Sequence, residues 1–229
     1  MIPIGDDNSG RRGFPVVTLL LVALNVLVFL WQQAQGPQGF ERAVQAFGTI
    51  PYEISHGTDI GAPGPAPIYL TLFTSMFMHA NWMHLGGNML FLWIFGDNLE
   101  DRMGSGKYVV FYLLCGLAAD FAQIILSPEG HVPGIGASGA IAGVLGGYLL
   151  LFPGATVRTM GRYGVNEVPA WMMLGFWILT QVLSGMAQWG GQEQGGVAYA
   201  AHVGGFITGL VLVKLFAPGG ATAPRRIAV

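Results

Sequence analysis

The sequence predicts an all-α membrane protein, a bundle of six transmembrane helices with both termini on the cytoplasmic side. Three observations carry this expectation. Of 229 residues, 52% are hydrophobic and 10% charged, against about 25% charged in ordinary soluble domains. The mean hydropathy is +0.54, too apolar for a water-facing globule. The few charges are grouped, so that long uncharged stretches alternate with short charged ones.

A spanning helix needs about 20 mostly apolar residues, which places six spans near 14–33, 82–98, 108–126, 137–152, 168–186 and 197–216 in a single domain, 1–229. The first has a long apolar core, and "AQG" at 34–36 is a poor cleavage site, so it reads as an uncleaved signal anchor. An outer loop, 34–81, follows. Within it "GAPGPAP" (61–67) breaks the apolar run, leaving "IYLTLFTSMFMHA" as an interfacial or re-entrant approach to the second span. Asn81 is then the expected N-cap of that span. Glu100, Asp101 and Arg102 read as a solvated inner turn. The third span contains Cys115, read as a core thiol, and Asp120, read as a hydrogen-bonded or snorkelling carboxylate. Pro153 closes the fourth span early, and the fifth is rich in aromatics. Gly205 and Gly209 give the sixth span a GxxxG interval that favours close packing on the small-residue face of the fourth.

With the N-terminus inside, nine of the ten Lys and Arg residues fall on the inner side and only Arg42 outside, in accord with the positive-inside rule. A net charge of −2 and the lack of a basic stripe argue against a nucleic-acid partner. One cysteine excludes an internal disulfide and a thiolate metal cluster.

Polar side chains in hydrocarbon cost free energy and ask for a partner or a task. The candidates are His79, His84, Asn88, Asp120, Ser138 and His202. Counting helix rise from the inner ends puts His84, Ser138 and His202 at one depth, about 18 to 22 Å above the inner boundary. His84 and Asn88, four apart, share a helix face. A helix starting at Ser138 starts inside the membrane, where its N–H groups and positive dipole end can face a developing anion, and Gly136 and Gly139 permit close approach. These residues alone leave other readings open. Ser138 could be a packing residue, His84 with Asn88 a polar clamp, and His84 with His202 the axial ligands of a transmembrane haem.

"HANWMHLGGNML", "GASG" and "AHVGGFITG", in that order on alternate spans, resemble the rhomboid intramembrane serine proteases. The resemblance runs from about residue 68 to 216. It implies a prokaryotic-type six-helix form in the bacterial inner (plasma) membrane, opening outward, with Ser138 as nucleophile and His202 as general base. His84 and Asn88, with the Ser138 N–H, match the oxyanion-stabilising positions, and His79 the additional histidine five residues earlier. Gly136 would support the same pocket. Substrates would be transmembrane proteins with helix-destabilising segments, entering laterally beside span five and the loop 188–196; no metal or cofactor is implied. A non-catalytic, helix-binding member of the family is the alternative. Two departures stand out. Ala142 occupies the position where some members stack an aromatic ring on the catalytic histidine, and the first outer loop has "FER" (40–42) where many carry a Trp-Arg pair.

Overall fold

The computed structural model describes residues 2–8, 10–162, 164–189 and 197–217, the side chains of 188 and 189 excepted. Among them nine α-helices, α1 (Val16–Ala34), α2 (Gly36–Phe47), α3 (Pro51–His56), α4 (Thr71–Thr74), α5 (Trp82–Met103), α6 (Ser105–Leu126), α7 (Ser138–Leu151), α8 (Ala170–Trp189) and α9 (Tyr199–Phe216), accompany three strands. Four described helices, α1, α6, α8 and α9, are long and apolar enough to cross a membrane. The apolar α7 is shorter, at 14 residues, and α5 carries Asp97, Glu100, Asp101 and Arg102 in its last turns.

The expectation of an all-α chain is corrected: the protein is mostly helical with one small sheet. Strands β1 (Ile2–Asp6), β2 (Thr156–Gly161) and β3 (Gly164–Pro169) pair antiparallel in the order β1-β2-β3. The segment between α7 and α8 alternates, with Val157 and Thr159 buried and their neighbours exposed or half-buried, and Gly161 pairs with Gly164. That is a hairpin pattern, too short to register beside the apolar runs. The segment 34–81, expected as a loop, is also more ordered than a connection, since α2, α3 and α4 lie within it.

The expected solvated turn at 100–102 is corrected as well. Glu100 is buried, and its carboxylate accepts from the backbone N–H groups of Val17 and Thr18 and from the hydroxyls of Thr18 and Ser105. It caps α1, whose first N–H groups have no intrahelical partner. Asp101 accepts from the Arg12 and Gly13 N–H groups. A carboxylate distant in sequence thus does what a local N-cap residue does elsewhere.

At the opposite end of α5, Asn81 is the N-cap and its side chain accepts from the His84 N–H at 2.8 Å. The bundle centre is the α7–α9 contact. A Cβ at Gly209 would lie 1.9 Å from the Gly143 carbonyl oxygen, one at Gly205 2.1 Å from that of Gly139, and one at Gly146 2.2 Å from that of Phe206. Backbone meets backbone here, which only glycine permits. Cys115 is buried against Gly143, as a core thiol.

Two outcomes follow. Gly209→Ala must push α9 off α7, and overpacking of this kind costs about 1–3 kcal/mol; thermal unfolding in detergent should show a lowered midpoint. The second concerns Asp6, buried on β1 with Oδ2 accepting from the Tyr148 hydroxyl (2.6 Å) and Asn98 Nδ2 (2.7 Å). Burial pushes its pKa up from 3.8 to about 7, opposed by the Tyr148 and Asn98 hydrogen bonds and assisted by the neighbouring carboxylates of Asp97, itself paired with Arg11, and Asp7. A carboxyl raised in the folded state takes up a proton on docking, so β1 is held most firmly below about pH 4 and progressively less as pH rises through about 7. Hydrogen exchange of residues 2–6, corrected for intrinsic rate, should show this loss of protection, and Asp6→Asn should flatten it.

Candidate active site

Ser138 is the first residue of α7 and His202 lies in the first turn of α9. Because the glycine seam sets these two helices against each other, the Ser138 Oγ sits 2.8 Å from His202 Nε2. The other ring nitrogen, Nδ1, is 2.7 Å from Oε1 of Gln181 on α8. An amide oxygen can only accept, so Nδ1 carries the proton and Nε2 is the acceptor for the Ser138 hydroxyl. Trp177, one turn before Gln181, lies beside the imidazole with ring centroids 5.9 Å apart. With Ala142 offering no ring, Gln181 and Trp177 are the neighbours of the imidazole, neither of them singled out from the sequence as its partner. A glutamine in an apolar span was the available signal.

His84 and Asn88 lie on one face of α5, as their spacing requires. The Ala80 N–H donates to His84 Nδ1 at 3.4 Å, leaving Nε2 as the protonated nitrogen. Nε2 faces Gly136, where a Cβ would come within 2.7 Å of it and 3.6 Å of the Asn88 amide nitrogen. Gly136 has φ +124°, a conformation open to glycine. It stands two residues before Ser138, so the imidazole and the amide converge beside the nucleophile. The N–H of Ser138, at the first position of α7, has no intrahelical carbonyl to bond. The His84 imidazole and the Asn88 amide thus lie beside Gly136, two residues before this N–H.

His79 lies one shell further in. It is fully buried and its Nε2 accepts from the Asn88 Nδ2 at 3.0 Å, so it aims the amide. Its own backbone is gripped by the side chain of Gln32 on α1, which accepts from the His79 N–H (3.0 Å) and donates to its carbonyl (3.2 Å). Gln32 is the second residue that sequence reasoning missed.

Both ring nitrogens of His202 are engaged by Ser138 and Gln181, an arrangement unlike a pair of axial haem ligands. Asp120 is hydrogen-bonded, accepting from the Ser75 hydroxyl at 3.4 Å. Together with Ser138, Gly136, Gln123 and Ala198 it lines a cavity of about 670 Å³. The loop 188–196 falls almost wholly outside the described residues.

A model of the rhomboid domain matches residues 67–219, two thirds of the chain. The chain belongs to the rhomboid family. It is 29% identical over 192 residues to the rhomboid protease GluP of Bacillus subtilis, covering 83% of this chain and 36% of that protein. Rhomboid-like protein 11 of the Arabidopsis thaliana chloroplast is 30% identical over 158 residues (65% and 53%). The rhomboid protease GlpG of Salmonella newport is 31% identical over 140 residues (61% and 46%). The chain spans about a third to a half of the length of these relatives. Apolar helices and family together make this rhomboid an integral, multi-pass membrane protein.

Gly136→Ala should abolish any activity that uses this pocket, because the added methyl collides with the His84 ring. Because φ +124° is also closed to alanine, the thermal midpoint of this variant in detergent should fall below that of the wild type.

Proposed function

We propose that this rhomboid is an intramembrane serine endopeptidase working through a Ser138–His202 dyad. The observation that carries the reading is the 2.8 Å approach of Ser138 Oγ to an unprotonated His202 Nε2, with the Gly136, His84 and Asn88 pocket beside it. Peptide hydrolysis needs a nucleophile stronger than a neutral hydroxyl. As Oγ attacks the scissile carbonyl carbon, Nε2 takes the hydroxyl proton and the carbonyl oxygen becomes an oxyanion. The Ser138 N–H, His84 Nε2–H and Asn88 Nδ2–H hold that oxygen, each donor worth about 2.7–4 kcal/mol of transition-state stabilisation. The imidazolium then protonates the leaving amine. Water, deprotonated by the regenerated base, releases the acyl group and restores Ser138. No step calls on a metal or cofactor.

In this reading α1, α5, α6, α7, α8 and α9 are the six spans, the termini and the small sheet are cytoplasmic, and the membrane is a bacterial inner one. The nine inner Lys and Arg residues support that sidedness. Ser138 then lies below the outer surface and lines, with Asp120 and Gln123, a cavity of about 670 Å³, large enough for water. The substrates are membrane-inserted protein segments. A fully hydrogen-bonded helix hides its carbonyls, so those with Gly, Pro or other helix breakers are favoured. Further support comes from the relatives named rhomboid protease.

A serine-directed fluorophosphonate applied to the purified protein is expected to label the wild type and to label neither Ser138→Ala nor His202→Ala. Each variant should also leave a Gly-containing transmembrane substrate intact. Labelling of Ser138→Ala equal to the wild type would remove the nucleophile assignment, and a folded wild type that neither labels nor cleaves would favour a helix-binding relative.

A further inference from the structure

We infer that Gln181 is a positioning residue for His202, fixing the tautomer and the ring plane of the base from a helix outside the α7–α9 pair. The inference rests on the dyad proposed above. Its starting point is which elements carry which groups. Ser138 and His202 belong to α7 and α9, locked together by the glycine contacts. The group that fixes the imidazole comes from a third helix, and that helix is the least enclosed of the candidate spans. Only 17% of its apolar window is buried, against 28–33% for α1, α6 and α9. Trp171, Phe176, Leu179, Leu183 and Met186 are all exposed.

The chemistry of the contact is specific. A histidine acting as base through Nε2 must hold its proton on Nδ1 and keep the ring plane aimed at the serine. Gln181 Oε1, 2.7 Å from Nδ1, selects that tautomer and that rotation together. The amide is neutral, so it orients the ring without adding a negative charge that would favour the imidazolium. Trp177 flanks the ring from the same helix. Without the Gln181 acceptor the imidazole is free to rotate or to change tautomer. No described side chain other than Ser138 and Gln181 hydrogen-bonds the His202 ring.

The test uses full-length protein in liposomes. Gln181→Met keeps the length of the side chain and removes the acceptor; kcat is expected to fall at least about tenfold, with KM unchanged and fluorophosphonate labelling of Ser138 slowed in parallel. Gln181→Glu retains an acceptor, and should recover part of the lost kcat. Its carboxylate stabilises the imidazolium, so the acidic limb of its kcat/KM profile moves to higher pH. Wild-type kcat in Gln181→Met overturns the inference. So does a loss confined to KM, or a Gln181→Glu variant no more active than Gln181→Met at any pH. Ser138→Ala in parallel separates the two claims: if it keeps its labelling and activity, the dyad itself fails, whatever Gln181 does.

Discussion

Two helices touching backbone to backbone is the constraint on which the site depends. The carbonyl oxygens of Gly139 and Gly143 occupy the space that side chains at positions 205 and 209 would need. No apolar solvent effect drives helices together in lipid, so close van der Waals approach has to do so. With that approach fixed, the start of α7 and the first turn of α9 face each other, and a serine hydroxyl meets an imidazole nitrogen at 2.8 Å. Replace the seam by larger residues and the same two side chains remain in the sequence without meeting.

Around this pair the pocket beside Ser138 is assembled from a different helix and the loop that carries Gly136. Gly136 can pass beneath His84 only because it has no side chain and adopts φ +124°. Asn88 is aimed by His79, and His84 is aimed by the Ala80 N–H. Each group that would touch the reacting atoms is thus set by another that does not. Preorganisation of this kind needs no rearrangement as charge develops.

Much of this was legible in the sequence. Ser138, His84, Asn88 and His202 announce themselves because polar atoms in an apolar run are expensive, and helix rise alone puts three of them at one depth. The GxxxG interval and the Asn81 cap are local patterns, and local patterns can be read. What escaped is non-local or outweighed. Glu100 looks like part of a charged turn until the N-terminus of α1, more than eighty residues earlier, is found beside it. Gln181 and Gln32 lie in spans where one amide among many apolar residues carries no sign of its partner. The hairpin β2–β3 has six-residue strands, short beside the helical signals on either side.

The two amide hydrogen bonds that Gln32 makes to the backbone of His79 have a bearing on where this protein can be cut. The family match begins at residue 67, but the grip on His79, and through it on Asn88, is supplied from α1. A fragment trimmed to the matched region would hold every residue of the recognised motifs and still leave a buried peptide unit without its partners. The boundary drawn by likeness to relatives is therefore narrower than the unit that holds the motif residues in register.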